Sequence, residues 1–340
     1  MFAIVTDSTS STPTDVLEGQ GVQVVPLTIS FGNESYVEGI DLTPKQFYEK
    51  MAAGLRNGGD LPKTSCPDPS AFERAFACAL EAGADGVLCI TLSSGLSGTN
   101  AFANVAAANA DGHVEVIDSK AVAMEESFLI EQAIRMRDAG TTLEQAAAHL
   151  REMADSTITL FALDTMENLI KGGRVGKATG IAAGALKLRA LICVEKTDGV
   201  AGAVGKARGS KGALKKLVEL TQDFIAQHGD CEVRVIHADA ADRVVELEDA
   251  LEAAGIACNR EKSGWIGAVI GTHAGRGSRL LPQELPGLAD PAPPGLAARA
   301  GKARALRARA RACPLWRCCT CGSDPCTPCA ALTTCARACR

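Results

Sequence analysis

No apolar run in the 340 residues approaches the ~20 needed to cross a bilayer. The opening Met1-Phe2-Ala3-Ile4-Val5-Thr6-Asp7 has no basic stretch and meets an acid at once, so no secretory leader is expected and a cytoplasmic location follows. Aromatics make up only 4% of the chain, so any large apolar cavity must be lined by Ala, Val, Leu, Ile, Met and a few Phe. The sequence has no Walker loop and no G-x-G-x-x-G after its first strand, which leaves nucleotide binding little support. Its five histidines are dispersed and none forms H-x-x-x-H, so no metal or other cofactor is expected in the body.

What is present divides the chain in two. From Arg279 to Arg340 ten Lys/Arg face three Asp/Glu, a net of +7, so the first 278 residues carry −12 to reach the overall −5. An acidic body argues against a nucleic-acid partner. Eight of the 14 cysteines lie between positions 313 and 339. The other six (Cys66, Cys78, Cys89, Cys193, Cys231 and Cys258) show no paired spacing and are expected to be small buried hydrophobes. In the tail, residues 296–311 have the pattern of a basic helix. Cys318-x-x-Cys321 and Cys326-x-x-Cys329 have zinc-pair spacing, but the gap between the pairs is far shorter than a zinc ribbon's. The pattern changes abruptly at about Arg276, so residues 278–340 are expected to be an atypical tail, disordered or translated out of frame.

Within the body, β-branched runs alternate with amphipathic stretches, the signature of βαβ units. Strands are expected at residues 2–6, 21–30, 86–92, 114–117, 156–162, 190–195, 233–237 and 265–271. Helices are expected from Thr43 onward and at 68–83, 99–110, 120–140, 142–154, 164–171, 211–228 and 241–254. Thr43-Pro44-Lys45-Gln46 carries an N-cap, a proline at the first helical position and a capping-box Gln. Residues 61–67 hold two prolines and are expected to be loop. The fold class is α/β with two α/β domains. Residues 1–155 are expected to form a largely parallel sheet with helices on both faces, and 156–277 a smaller α/β domain.

Hydroxyl-rich segments recur just after strand ends, the edge of an open α/β sheet where ligands bind. Three stand there: Asp7-Ser8, Ser93 to Thr99, and Asp118-Ser119. In the second, a glycine turn feeds a helix whose free N–H groups favour an anion, with Ser94 and Ser97 adding neutral donors; plain helix capping is the alternative. Arg174 follows Gly172-Gly173 and offers a planar fork for a carboxylate or phosphate, although a solvated Arg after a helix stop has the same pattern. His273 follows an apolar run and stands either as a donor to the same anion or as a satisfied core histidine. Ser94 and His273 with Asp7 or Asp118 supply the residue types of a hydrolase triad, but Ser94 is not in G-x-S-x-G.

In order, Thr6-Asp7-Ser8-Thr9, Leu61-Pro62-Lys63-Thr64-Ser65-x-Pro67, Ser93-Ser94-Gly95-Leu96-Ser97-Gly98-Thr99, Val116-Ile117-Asp118-Ser119-Lys120, Gly172-Gly173-Arg174 and Gly271-Thr272-His273 resemble the successive blocks of the DegV family, from residue 1 to about 277. The resemblance implies a non-enzymatic carrier that holds one long-chain fatty acid between two α/β domains. It also implies presentation of the acid to a separate ATP-dependent fatty acid kinase, whose acyl phosphate feeds phospholipid synthesis. Carried over, Thr64, Ser94 and His273 would bind the carboxylate and Arg174 would serve in presentation, with Ser65, Gly95 and Ser97 as supporting neighbours. Where the family usually has Gln, this chain has Cys66. Two other readings stand beside the carrier, a Ser/His acyl hydrolase and a lipid-sensing regulatory module. Transient membrane contact is left open.

Overall fold

The alternation of buried residues in the first strands sets the architecture of the first half. In β1 (Ala3–Asp7), Ile4 packs to one side and Val5 to the other. The same switch separates Leu88 from Cys89 in β6 (Val87–Thr91). A strand buried on both faces needs a cover on each. One cover is α3 (Pro69–Glu81) and α4 (Thr99–Ala108), through Phe72, Phe76 and Ala103. The other is α5 (Met124–Ala139) and α6 (Leu143–Ala154), through Phe128, Leu129 and Leu150. With β2 (Val22–Val25) and β7 (Val114–Asp118), the strands form a parallel sheet in the order β2-β1-β6-β7. α1 (Thr14–Gly19) links β1 to β2. The structure is a computed structural model that describes residues 1–182, 188–229 and 231–284.

A three-stranded antiparallel sheet, β4-β3-β5, flanks the first: β3 (Thr28–Phe31), β4 (Glu34–Val37) and β5 (Lys63–Ser65). Between β4 and β5 lies α2 (Pro44–Arg56), whose Thr43–Gln46 capping box forms as its sequence dictates. The second half is a larger sheet, built from β8 (Thr157–Ala162), β9 (Leu188–Val194), β10 (Ala201–Arg208), β11 (Glu232–Val233), β12 (Ile236–His237), β13 (Gly264–Trp265) and β14 (Arg279–Glu284). Its order is β10-β9-β8-β14-β12-β13, with β11 on β14. One face packs Leu160, Leu191 and Cys193 under α9 (Gly209–His228) and α10 (Ala241–Ala253). The other turns Phe161, Ile192 and Val194 toward β3, α2 and α11 (Ala268–Ala274). α7 (Glu167–Lys171) and α8 (Thr179–Ala182) lie between β8 and β9 in sequence.

The structure corrects several expectations. Residues 21–30 are not one strand: Pro26, with no N–H to donate, separates β2 from β3 and sends them to different sheets. Residues 61–67 are not all loop. Pro62 and Pro67 bracket a three-residue strand without entering it, and β5 pairs with β3 at Ile29↔Thr64. The apolar run 265–271 is mostly helix: β13 ends at Trp265 and α11 begins at Ala268, so His273 sits in the last turn of a helix. A fully apolar run carries no periodicity to separate the two. β10 was unforeseen because AGAVGKAR is rich in small residues. The second sheet is mainly antiparallel.

The fold continues past residue 278, where the tail was expected to begin. Gly277 N–H donates to Ala238 O at 2.7 Å, and Ser278 O accepts from Ala238 N–H at 3.0 Å. β14 then pairs with β8 from Arg279↔Ala162 to Glu284↔Thr157, inside the sheet. A strand between two partners is part of the fold. The basic helix expected at 296–311 and the cysteine pairs lie outside the described residues.

Candidate functional site

A cavity of about 290 Å³ lies where the two halves meet. Its apolar wall includes Leu27 and Leu92 from the first half, and Phe161, Ile192, Val194 and Ala201 from the second sheet. Its polar lining is Thr64, Ser65, Ser97, Arg174 and His273, joined by Cys66. A larger open cleft of about 990 Å³, between α1, the β4–α2 connection, α5 and β13, holds none of these polar groups. The smaller cavity is therefore the candidate site, because it brings an apolar wall together with Thr64, Ser65, Ser97, Arg174 and His273.

Thr64 is held by β5, and α11 brings His273 to it, with Oγ1 and Nε2 2.9 Å apart. Burial, reinforced by the Arg174 charge, pushes the imidazole down to about 4, so the ring is neutral at pH 7. Nδ1 is buried without a hydrogen-bond partner among the described residues. With the proton on Nε2, the ring donates to Thr64 Oγ1 and leaves the Thr64 proton free to donate onward. With it on Nδ1, Thr64 must donate to the ring and would present only lone pairs to the cavity. An anion selects the first tautomer.

The Gly172-Gly173-Arg174 turn owes its form to this histidine. A Cβ on Gly172 would lie 2.4 Å from His273 Nδ1 and 2.9 Å from Asn168 O, so no side chain fits. Gly173 takes φ +71°, the left-handed conformation glycine adopts freely. The chain then returns Arg174 to the cavity, where Nη1 donates to Gly172 O at 2.8 Å and Nε to Leu96 O at 3.2 Å. Nη2 has no protein partner among the described residues and is available to a ligand.

The remaining expected residues fall elsewhere. Ser94 is exposed and outside the cavity lining; its Oγ donates to Asp118 Oδ2 at 2.5 Å, and its N–H to Asp118 Oδ1 at 3.1 Å. Gly95 is a contact point between the halves, since a Cβ there would lie 2.3 Å from Asp198 O and 2.5 Å from Gly199 C in the β9–β10 turn. Ser93 fastens the same contact through Oγ to Gly199 O, 2.6 Å. Ser97 does line the cavity, with Oγ 2.8 Å from Thr99 Oγ1. Asp118 orders the Ser94 turn, while Ser119 Oγ donates to Ala121 O at 3.3 Å. Asp7-Ser8 is internal: Asp7 Oδ2 accepts from Leu92 N–H at 2.7 Å, and Asp7 is fully buried. The residue types of a triad are thus not assembled, because Ser94 pairs with Asp118 and His273 with Thr64. Among the described residues no cluster of His, Cys, Asp or Glu could hold a metal ion, and no helix is long and apolar enough to cross a membrane. The apolar wall was not singled out in the sequence; its signal lay in the period-two alternation of β9, where Ile192 and Val194 share a face.

The order of these blocks along the chain has a counterpart among known proteins. The model of the DegV family, described as uncharacterised proteins, matches residues 1–279. The chain belongs to the DegV family. It is 34% identical over 279 residues to a DegV domain-containing protein of Deinococcus radiodurans, covering 82% of this chain and 96% of that one. A DegV domain-containing protein of Clostridium acetobutylicum is 29% identical over 278 residues, covering 81% of this chain and 96% of the relative. Among solved structures, a fatty-acid-binding DegV family protein of Thermus thermophilus superposes with a TM-score of 0.76 at 29% identity, covering 84% of this chain and 99% of that one. DegV of Bacillus subtilis, a fatty acid binding protein, gives 0.72 at 27%, covering 84% and 99%. A stearic-acid-binding protein of Eubacterium ventriosum gives 0.76 at 27%, covering 84% and 98%. The two-domain α/β fold of this DegV protein is theirs.

Proposed function

We propose that this DegV protein binds one long-chain fatty acid in the 290 Å³ cavity, as a carrier and not as a catalyst. The observation that carries the reading is the convergence of Thr64, Ser65, Ser97, Arg174 and His273 at one end of an otherwise apolar cavity between the halves. A carboxylate is charged at pH 7, and burying it without partners is very costly. Arg174 and the Thr64 hydroxyl, polarised by neutral His273, offset that cost. The acyl tail then gains roughly 0.8 kcal/mol per buried CH₂. Ser97 and Ser65 take the supporting places, and Ser94 acts through the turn it shares with Asp118. We place the domain boundary at the Asp155-Ser156 turn between α6 and β8, so that each domain gives one wall.

The test is mass spectrometry of an organic extract of the freshly purified protein. A long-chain fatty acid at near one equivalent is expected, and folded protein free of any would refute the carrier.

The protein is proposed to work in the cytoplasm and to hand the acid to a separate ATP-dependent fatty acid kinase. Arg174→Ala is expected to weaken fatty-acid binding by about one charged hydrogen bond while Thr64 and His273 still hold the acid, and to lower kinase-dependent acyl phosphate formation at least about tenfold beyond that loss. Equal loss of binding and turnover would assign Arg174 to capture alone.

A further inference from the structure

The functional reading leaves a group of buried carboxylates unused. Asp7, Glu38 and Glu126 come from β1, the β4–α2 connection and α5, and all are almost fully buried. Thr9 Oγ1 lies 2.7 Å from Asp7 Oδ1 and 2.8 Å from Glu126 Oε2. A hydroxyl has one proton, so one of these contacts must be donated by a carboxylic acid. Asp7 already accepts N–H groups from Thr9 and Leu92, at 2.9 and 2.7 Å, and so remains the acceptor; Glu126 carries the proton.

Glu38 faces the other way, onto the helix that carries His273. Its Oε1 accepts the Val269 N–H at 2.7 Å, and its Oε2 accepts from Ser8 Oγ at 2.7 Å. Tyr48 packs against the same segment: its Oη donates to Ile266 O, two residues before the helix, at 3.2 Å, and sits so close to Gly271 that a Cβ there would meet it at 2.2 Å. At the far end, Asn168 Nδ2 donates to Thr272 O at 2.8 Å. α11 is thus a seven-residue rod clamped along its length, with Glu38 at its start and His273 in its last turn.

We propose that Glu38 is a positioning residue of the fatty-acid site, seating α11 and through it the His273–Thr64 pair, so that protonation of Glu38 tunes acyl binding. The inference rests on the functional reading above. Glu38 is pushed up to about 7, chiefly by burial, with the Asp7 charge adding and the bonds from Val269 and Ser8 opposing. The titratable groups acting with it are Asp7, Glu126 and Tyr48; α11 offers it only backbone N–H groups. The large open cleft borders Glu38 and gives protons a path to it. A charged carboxylate caps a helix start better than a neutral one.

Displacement of a fluorescent fatty acid from the full chain, between pH 6 and 8.5, tests this. Glu38→Gln keeps an acceptor for Val269 but cannot ionise. The wild type is expected to gain about fivefold in affinity over the variant from pH 6 to 8.5, the size of a helix-cap effect. Ionisation of the ligand is common to both proteins and cancels in that ratio. A ratio constant with pH would overturn the proposal. The His273 ring resonances, followed by NMR without ligand, are expected to move in Glu38→Gln; unmoved resonances also overturn it. A wild type that binds no fatty acid refutes the functional reading, while the ring resonances still decide whether Glu38 positions His273.

Discussion

Thr64→Val is expected to weaken fatty-acid binding about 10- to 100-fold while leaving the fold intact. Valine matches threonine in shape and suits a strand at least as well, so β5 and its pairing with β3 should persist. What disappears is the hydroxyl 2.9 Å from His273 Nε2. In the unliganded protein the loss is small, because the half-buried ring can find water. With a carboxylate bound, the charged group loses a donor worth roughly 1.5–3 kcal/mol. The lower end of the range applies if the freed Nε2–H turns to the carboxylate itself. A double-mutant cycle with His273→Gln separates these cases, since a direct imidazole bond makes the two changes more than additive. Isothermal titration with a long-chain acid gives the affinities. A Kd within twofold of wild type would place the carboxylate elsewhere.

The sequence carried the helix caps and the parallel sheet well, because each is a local signal. Thr43 and Thr142 both form capping boxes, with Gln46 and Gln145. The strand at Val87–Thr91 reads directly from its apolar run. The failures share a physical cause. From Trp265 to Gly271 the chain is apolar throughout and carries no periodicity, and the helix start at Val269 is held by Glu38, more than 200 residues earlier, which accepts its N–H. Tertiary contacts of this kind leave no local trace. β14 was masked differently: its six residues belong to a composition that looks foreign, yet the backbone slot between β8 and β12 accepts them.

The site was legible as a set of residue types and not as a geometry. Thr64, Ser65, Ser97, Arg174 and His273 all line one cavity. Ser94 was expected among them because S-S-G-L-S-G-T reads as one anion loop. Only the fold shows that the loop is divided. Ser93 and Gly95 lock onto the β9–β10 turn, Ser94 binds Asp118, and only Leu96, Ser97 and Gly98 reach the cavity. The glycines changed meaning as well. Gly172 looked like a helix stop, yet its lack of a side chain is what lets His273 approach.

Stability should depend on pH in a way that isolates Glu38. Its ordinary value is 4.5 and burial raises it to about 7, so the folded state binds a proton the unfolded state has released. The resulting stabilisation is complete below about 4.5 and is lost as pH climbs through 7, a total on the order of 3 kcal/mol. His273 runs oppositely. Depressed from 6.5 to about 4, it favours the folded state above 6.5 and loses that contribution as pH falls toward 4. Between 4.5 and 6.5 these two nearly cancel. Glu126, also raised well above its usual 4.5, keeps its proton in the folded chain where the unfolded chain has released it, so it tilts wild-type stability downward from about pH 4.5 upward. Glu38→Gln removes one side of the balance. The unfolding free energy of the variant minus that of the wild type, from urea titrations, is therefore expected to rise by roughly 3 kcal/mol from pH 4.5 to 8. A difference that stays level over that range would mean Glu38 is not held as a buried acid. The ionised Glu38 that seats α11 for binding thus costs the fold stability, the usual relation between a functional site and the protein that carries it.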